Sequence, residues 1–172
     1  FGHQLFNRLG ANLQDRLVHA ERFFQSCHDG DDALAYVRDL YAAIQSSFER
    51  ALTGRLPSDT SDAQLKDTAE RKAVEAGFCE GLSESLRTVK TSAVRQALQG
   101  GSQTLGACVL AWLLVSDADE LAAIHDTQPS LIGDMANLIA RRGHGNEPLP
   151  LPKENIAQLR KAAFTTIRTL ME

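Results

Sequence analysis

Residues 106–120 read GACVLAWLLVSDADE. The first ten offer water no polar face, and the last four are mostly acidic. Extended back to Leu105, the apolar run reaches Val115 without a charge or an amide side chain. As a helix it measures about 16 Å against about 30 Å of bilayer hydrocarbon, so it is too short to cross a membrane. A helix that is hydrophobic all round must then be enclosed by other elements. Residues 103–116 are therefore expected to form the central helix of the fold, capped by Ser102, with Trp112 buried at its middle.

The flanking sequence supplies helices to do the enclosing. Leu5, Phe6, Leu9, Leu13, Leu17, Ala20, Phe24 and Cys27 fall on one stripe and predict a single helix that ends at His28-Asp29-Gly30. Asp31 or Asp32 can cap a second, marked by Leu34, Val37, Leu40, Tyr41, Ile44, Phe48 and Leu52 before Gly54. Ser61-Asp-Ala-Gln64 has the form of a capping box for a third, with a stripe of Leu65, Ala69, Ala73 and Val74 and a break near Phe78–Gly81. Leu82, Leu86, Val89, Val94 and Leu98 predict another, which runs to Gly100-Gly101. Asp117-Ala-Asp-Glu120 opens a short helix through His125, and Pro129 starts one that carries Leu131, Ile132, Met135, Leu138 and Ile139. Pro148, Pro150 and Pro152 predict a stiff extended connector, followed by a last helix on Ile156, Leu159, Ala163, Ile167 and Leu170. There is no period-two run rich in β-branched residues and no internal repeat. The expectation is an all-α bundle of about seven helices in one domain, 1–172, with an exposed Pro/Gly-rich loop at 143–152.

Composition agrees with a packed globular domain: 43% of the 172 residues are hydrophobic and 23% charged. Eighteen basic and 22 acidic residues give a formal charge of −4, and the basic ones are scattered. Nucleic acid and anionic membrane need concentrated positive charge, so neither is an expected partner. Cys27, Cys79 and Cys108 form no CxxC pair and are expected as reduced thiols, in the cytoplasm or another reducing compartment. A chain that opens on Phe1 reads as a domain excised from a longer protein.

Candidate chemistry is sparse. His19, Cys27, His28, Asp29, Asp31 and Asp32 are the densest set of metal-ligand types, but His19 lies eight and nine positions from Cys27 and His28, where one helix face needs three or four. Asp29-Gly-Asp-Asp is expected to be a solvated turn and cap, and no metal or cofactor is expected. His125 and Asp126 with Glu120 are an acid/base candidate that lacks an evident nucleophile. Gly100-Gly-Ser-Gln-Thr104 lacks the lysine and spacing of a phosphate loop and is expected as a helix stop and restart. Cys79 has Glu80 and no base beside it, so an inert thiol is expected.

Arg141-Arg142-Gly143-His144-Gly145-Asn146 is the segment that core formation explains least. Arg141, Arg142, His144 and Asn146 are candidates for contact with another protein, and paired arginines suit an acidic surface. The sequence therefore favours a non-enzymatic helical interaction module of adaptor or effector type. One alternative is a sensory domain of a regulator, with a small apolar ligand in a cavity beside Cys108, Trp112 and Val115. The other is an all-α enzyme that uses His125 and Glu120.

Overall fold

The computed structural model describes residues 3–55, 61–101, 104–142 and 145–171. Among them the chain forms ten helices: α1 (His3–Arg8), α2 (Ala11–Ser26), α3 (Leu34–Leu52), α4 (Leu65–Glu75), α5 (Glu84–Arg87), α6 (Thr91–Leu98), α7 (Leu105–Val115), α8 (Ala118–Thr127), α9 (Leu131–Arg142) and α10 (Lys153–Met171). A single 3-10 turn, Asp62–Gln64, precedes α4, and one isolated bridge joins Asp32 to Pro150. The fold is all-α, and no helix among the described residues is long and apolar enough to cross a membrane.

Two of the predicted helices are broken, which raises the count above the expected seven. The first stops at Arg8 and restarts at Ala11 because Gly10 adopts an extended conformation, and glycine loses about 1 kcal/mol relative to alanine inside a helix. Side-chain donors satisfy the carbonyls freed at this break. The Gln14 amide donates to the carbonyls of Phe6 at 3.0 Å and Leu9 at 2.8 Å, and Arg50 Nη1 donates to that of Arg8 at 3.1 Å. The 82–98 segment splits at the extended Lys90 into α5 and α6. In this segment Thr88 Oγ1 donates to the nearby Ser85 carbonyl at 3.3 Å. In α4 the inward positions are Leu65, Ala69 and Ala73, and Val74 is exposed, unlike the predicted stripe. The capping box at Ser61 does not form, since its hydroxyl bonds the Gln64 side chain at 3.2 Å and caps no amide.

Helix α7 is buried along its length, from Leu105 to Leu114, and α3, α4, α5, α6 and α9 pack against it. It is shorter than the predicted 103–116. Ser102, expected as its cap, and Gln103 lie outside the described residues. The cap is Thr104, whose Oγ1 accepts from the Ala107 amide at 3.4 Å. Gly106 lets the neighbours close in: a Cβ there would lie 2.8 Å from Val89 Cγ2 and 3.5 Å from Ile139 Cδ1.

A buried helix must still satisfy the amides and carbonyls at its ends. The Leu105 amide donates to the Tyr41 hydroxyl at 3.0 Å. At the other end, Lys72 Nζ donates to the carbonyls of Leu114 at 2.8 Å and Ser116 at 2.7 Å. This places a cation at the negative end of the helix dipole. Partial burial holds the Lys72 ammonium below its usual range. Lys72→Met keeps the aliphatic stem but leaves both carbonyls without their donor. It is expected to lower the unfolding free energy by about 2–3 kcal/mol in urea titrations. A loss below about 0.5 kcal/mol would show that the lysine has no capping role.

Candidate functional site

The acidic turn before α3 holds the proline connector in place. Asp32 Oδ1 accepts from the amides of Leu149 at 2.8 Å and Leu34 at 3.0 Å, and these bonds, Leu149 first, keep its carboxyl below the usual range. The Ala33 amide donates to the Leu149 carbonyl at 2.9 Å, and Gly30 to that of Leu151 at 3.2 Å. Asp29 Oδ1 takes the Lys153 amide at 2.7 Å. Leu151 is buried and Leu149 half-buried, while Gly145–Pro148 are exposed. The expected cap by Asp31 or Asp32 does not form, since the N-cap of α3 is Ala33 and Asp32, one position earlier, takes only the Leu34 amide; the turn instead anchors a segment more than 110 positions away.

Above this anchor, Arg38 Nη2 donates to the Gly145 carbonyl at 2.7 Å and to Asn146 Oδ1 at 2.8 Å. The Arg142 guanidinium lies over the Tyr41 ring, 4.4 Å from its centre, with an attraction of about 0.5–2 kcal/mol. Arg141 is half-buried and Arg142 exposed. Of the four residues singled out at sequence level, the structure therefore seats Arg142 and Asn146 on neighbouring positions of one helix, α3. His144, with Gly143, lies outside the described residues. Arg38 was missed, because a lone arginine within a helical stripe carries no local signal.

The other candidates are dispersed. Cys108 and Trp112 are fully buried and Val115 half-buried. Trp112 receives Phe48 edge-on at 5.5 Å between ring centres, and Phe78 at 6.4 Å. Burial pushes the Cys79 thiol up and that of Cys108 up to about 12. Glu120 is paired with Arg55 at 2.7 Å, while His125 stands edge-on to Phe78 at 5.3 Å. Five helical residues separate Glu120 from His125, about 140° around the axis, which explains why they engage different neighbours. His125 Nδ1 reaches Asp126 Oδ1 only at 4.0 Å. His19 turns to Asp39, Nδ1 to Oδ2 at 2.5 Å, and Arg16 shares that carboxylate at 3.3 Å. Among the described residues no three His, Cys, Asp or Glu side chains gather as metal ligands.

A cavity lies elsewhere. A groove of about 1140 Å³ runs between the start of α2 and the ends of α3 and α6, with Arg16, Arg50, Arg55 and Arg95 along it and Leu13 and Leu52 among its apolar lining. Cys108, Trp112 and Val115 take no part in it. Its arginines come from three separate segments of the chain, so no motif announces them. Gly100 and Gly101 also line it, which gives that glycine pair a place beyond stopping α6. Neither family models nor curated proteins nor solved structures match the chain.

Proposed function

We propose that this all-α domain is a non-enzymatic protein-interaction module that meets an acidic partner through Arg141, Arg142, Asn146 and the 143–152 loop. One observation carries the proposal: Asp29, Asp32 and Arg38 tie down the ends of a loop that would otherwise be floppy. A segment held before binding loses less entropy on association, and the arginines at the end of α9 beside it suit carboxylates. In this reading α7 is the central support that keeps the presenting helices α3 and α9 rigid. The three free cysteines suit a reducing compartment, the cytoplasm included.

The double variant Arg141→Glu with Arg142→Glu tests the proposal. Capture of partners from a cell extract is expected to fall by about tenfold or more, while the melting temperature drops by only a few degrees, as loss of the Arg142–Tyr41 contact requires. Wild-type capture is also expected to weaken as salt rises from about 50 to 200 mM, because the contact is ionic and surface-exposed. Equal capture by the variant and the wild type would overturn the assignment to this surface.

A further inference from the structure

Given the 143–152 loop as the contact surface proposed above, we infer that Pro148, Pro150 and Pro152 form a rigid proline ridge, which a partner reads with a groove lined by tyrosine and tryptophan.

The residues between the prolines build the ridge. Leu149 donates its amide to Asp32 Oδ1 at 2.8 Å and accepts from the Ala33 amide at 2.9 Å. Leu151 accepts from the Gly30 amide at 3.2 Å and donates to the Asp31 carbonyl at 3.4 Å. These bonds flank the bridge between Asp32 and Pro150, so the segment is held extended against the turn. In an extended chain successive side chains point to opposite faces. Leu149 and Leu151 go inward, half-buried and buried, and all three prolines are exposed. At about 3.3 Å per residue, the alternate rings stand about 6.6 Å apart along a ridge of about 13 Å. A free polyproline helix turns every three residues and would not align them; the turn imposes the period of two.

Backbone chemistry selects the partner. Successive residues of an extended chain also direct their N–H and C=O groups to opposite edges. The leucines direct theirs to the turn, which leaves the outer edge to the prolines. Proline has no N–H, so that edge carries no donor from Pro148 through Pro152. Pro152 gives its carbonyl to the Ile156 amide at 3.2 Å, while no donor among the described residues meets those of Pro148 and Pro150. An edge of acceptors alone cannot pair with a further strand, which must receive donors as well as give them. A second copy or an added peptide strand therefore finds no pairing here. What fits is a surface that supplies donors together with flat apolar faces for the rings. Tyrosine and tryptophan combine both in one side chain, with a phenol O–H or an indole N–H at the rim of an aromatic face. Grooves of such residues are recurrent receptors of proline-rich segments, and a segment fixed before contact loses little entropy there.

The test measures fluorescence anisotropy of labelled WW, SH3 and EVH1 domains, each with a groove of this kind, titrated with the full chain. At least one is expected to bind saturably, and replacing the aromatic residues of its groove with alanine should abolish that binding. Pro148→Ala with Pro150→Ala and Pro152→Ala is expected to weaken it by about tenfold or more. The helical circular dichroism spectrum should be kept, because the anchoring bonds belong to the leucines. Pro150→Ala alone should show a smaller loss in the same direction, and it is read in place of the triple variant if that one unfolds. Three results would each overturn the ridge: no domain binds, the proline variants bind as the wild type does, or the domains still bind without their groove aromatics. Dimers of the Pro→Ala chains, with no domain bound by the wild type, would do so too, since the prolines would then only block edge pairing. Loss of extract capture by Arg141→Glu with Arg142→Glu, with no domain bound by the wild type, overturns the ridge and leaves the loop proposal standing. Undiminished capture by that arginine variant, with domain binding that still depends on the prolines, supports the ridge and overturns only the part given to the arginines.

Discussion

Trp112→Ala is expected to lower the unfolding free energy by about 3–5 kcal/mol, near the upper end of what truncating one buried side chain costs. Trp112 has no exposed surface, and its ring is met edge-on by Phe48 from α3 and by Phe78 from the turn after α4. Truncation therefore removes the transfer energy of the indole and leaves a hole with aromatic walls. The walls cannot follow the missing ring inward. Phe48 is fully buried, and Phe78 is itself braced by His125 at 5.3 Å. Folded domains of this kind have about 5–15 kcal/mol of stability in all, so the variant is left marginal or unfolded at room temperature. Trp112→Phe keeps most of the apolar volume and should cost clearly less. Urea unfolding followed by far-ultraviolet circular dichroism measures both, since the variants lack the only tryptophan. A loss under about 1 kcal/mol for the alanine variant would mean that α7 is not enclosed as described.

The same helix shows what the sequence could and could not convey. Residues 105–115 contain nothing that tolerates water, so their burial follows from composition alone. The stripe from Leu34 to Leu52 was equally legible, because every third or fourth position faces inward and all seven of its marked residues are buried. Asp117-Ala-Asp-Glu120 was readable as a helix start because its signal is local, and there Asp117 Oδ1 takes the Glu120 amide at 2.8 Å. The break at Gly10 was not readable, since one of the groups that make it tolerable, Arg50, acts across a tertiary contact, and Gln14 beside it carries no mark of its role. The split of residues 82–98 at Lys90 was likewise hidden by a continuing apolar stripe. At the candidate site, the arginine pair stood out because nothing in the core explains it. Tyr41, which meets Arg142, and Arg38, which holds Gly145 and Asn146, sit about 100 positions upstream on a helix whose pattern speaks only of packing. The groove was invisible for the same reason in stronger form: four scattered arginines become a feature only when α2, α3 and α6 converge.

Raising the pH above about 9 is expected to destabilise the domain steeply, and Cys108 to account for the first part of the loss. Burial pushes its thiol from 9.0 up to about 12, and burial also raises the hydroxyls of Tyr36 and Tyr41 from 10.0, partly opposed at Tyr41 by the hydrogen bond from the Leu105 amide. For each of these groups the folded state holds its proton more tightly than the unfolded state. Their contribution is therefore complete below the unfolded value and lost as pH rises through the folded one. Lys72 acts in the opposite sense. Its depressed folded value means that the unfolded state binds more protons, so its contribution to stability grows with pH on approach to 10.5. For Cys108 the window runs from pH 9 to about 12, and a three-unit difference at about 1.36 kcal/mol per unit is on the order of 4 kcal/mol. Up to about pH 9.5 the tyrosines of the unfolded chain remain mostly protonated, so the slope there reports chiefly thiols, with half-buried Cys79 as the lesser contributor. Cys108→Ala should flatten that part of the profile, while the fall above pH 10 persists through Tyr36 and Tyr41. Urea midpoints at pH 7, 9, 10 and 11 for the wild type and Cys108→Ala measure the effect. A wild-type profile that stays flat from pH 8 to 11 would show that the Cys108 thiol is not sealed within α7 and its neighbours.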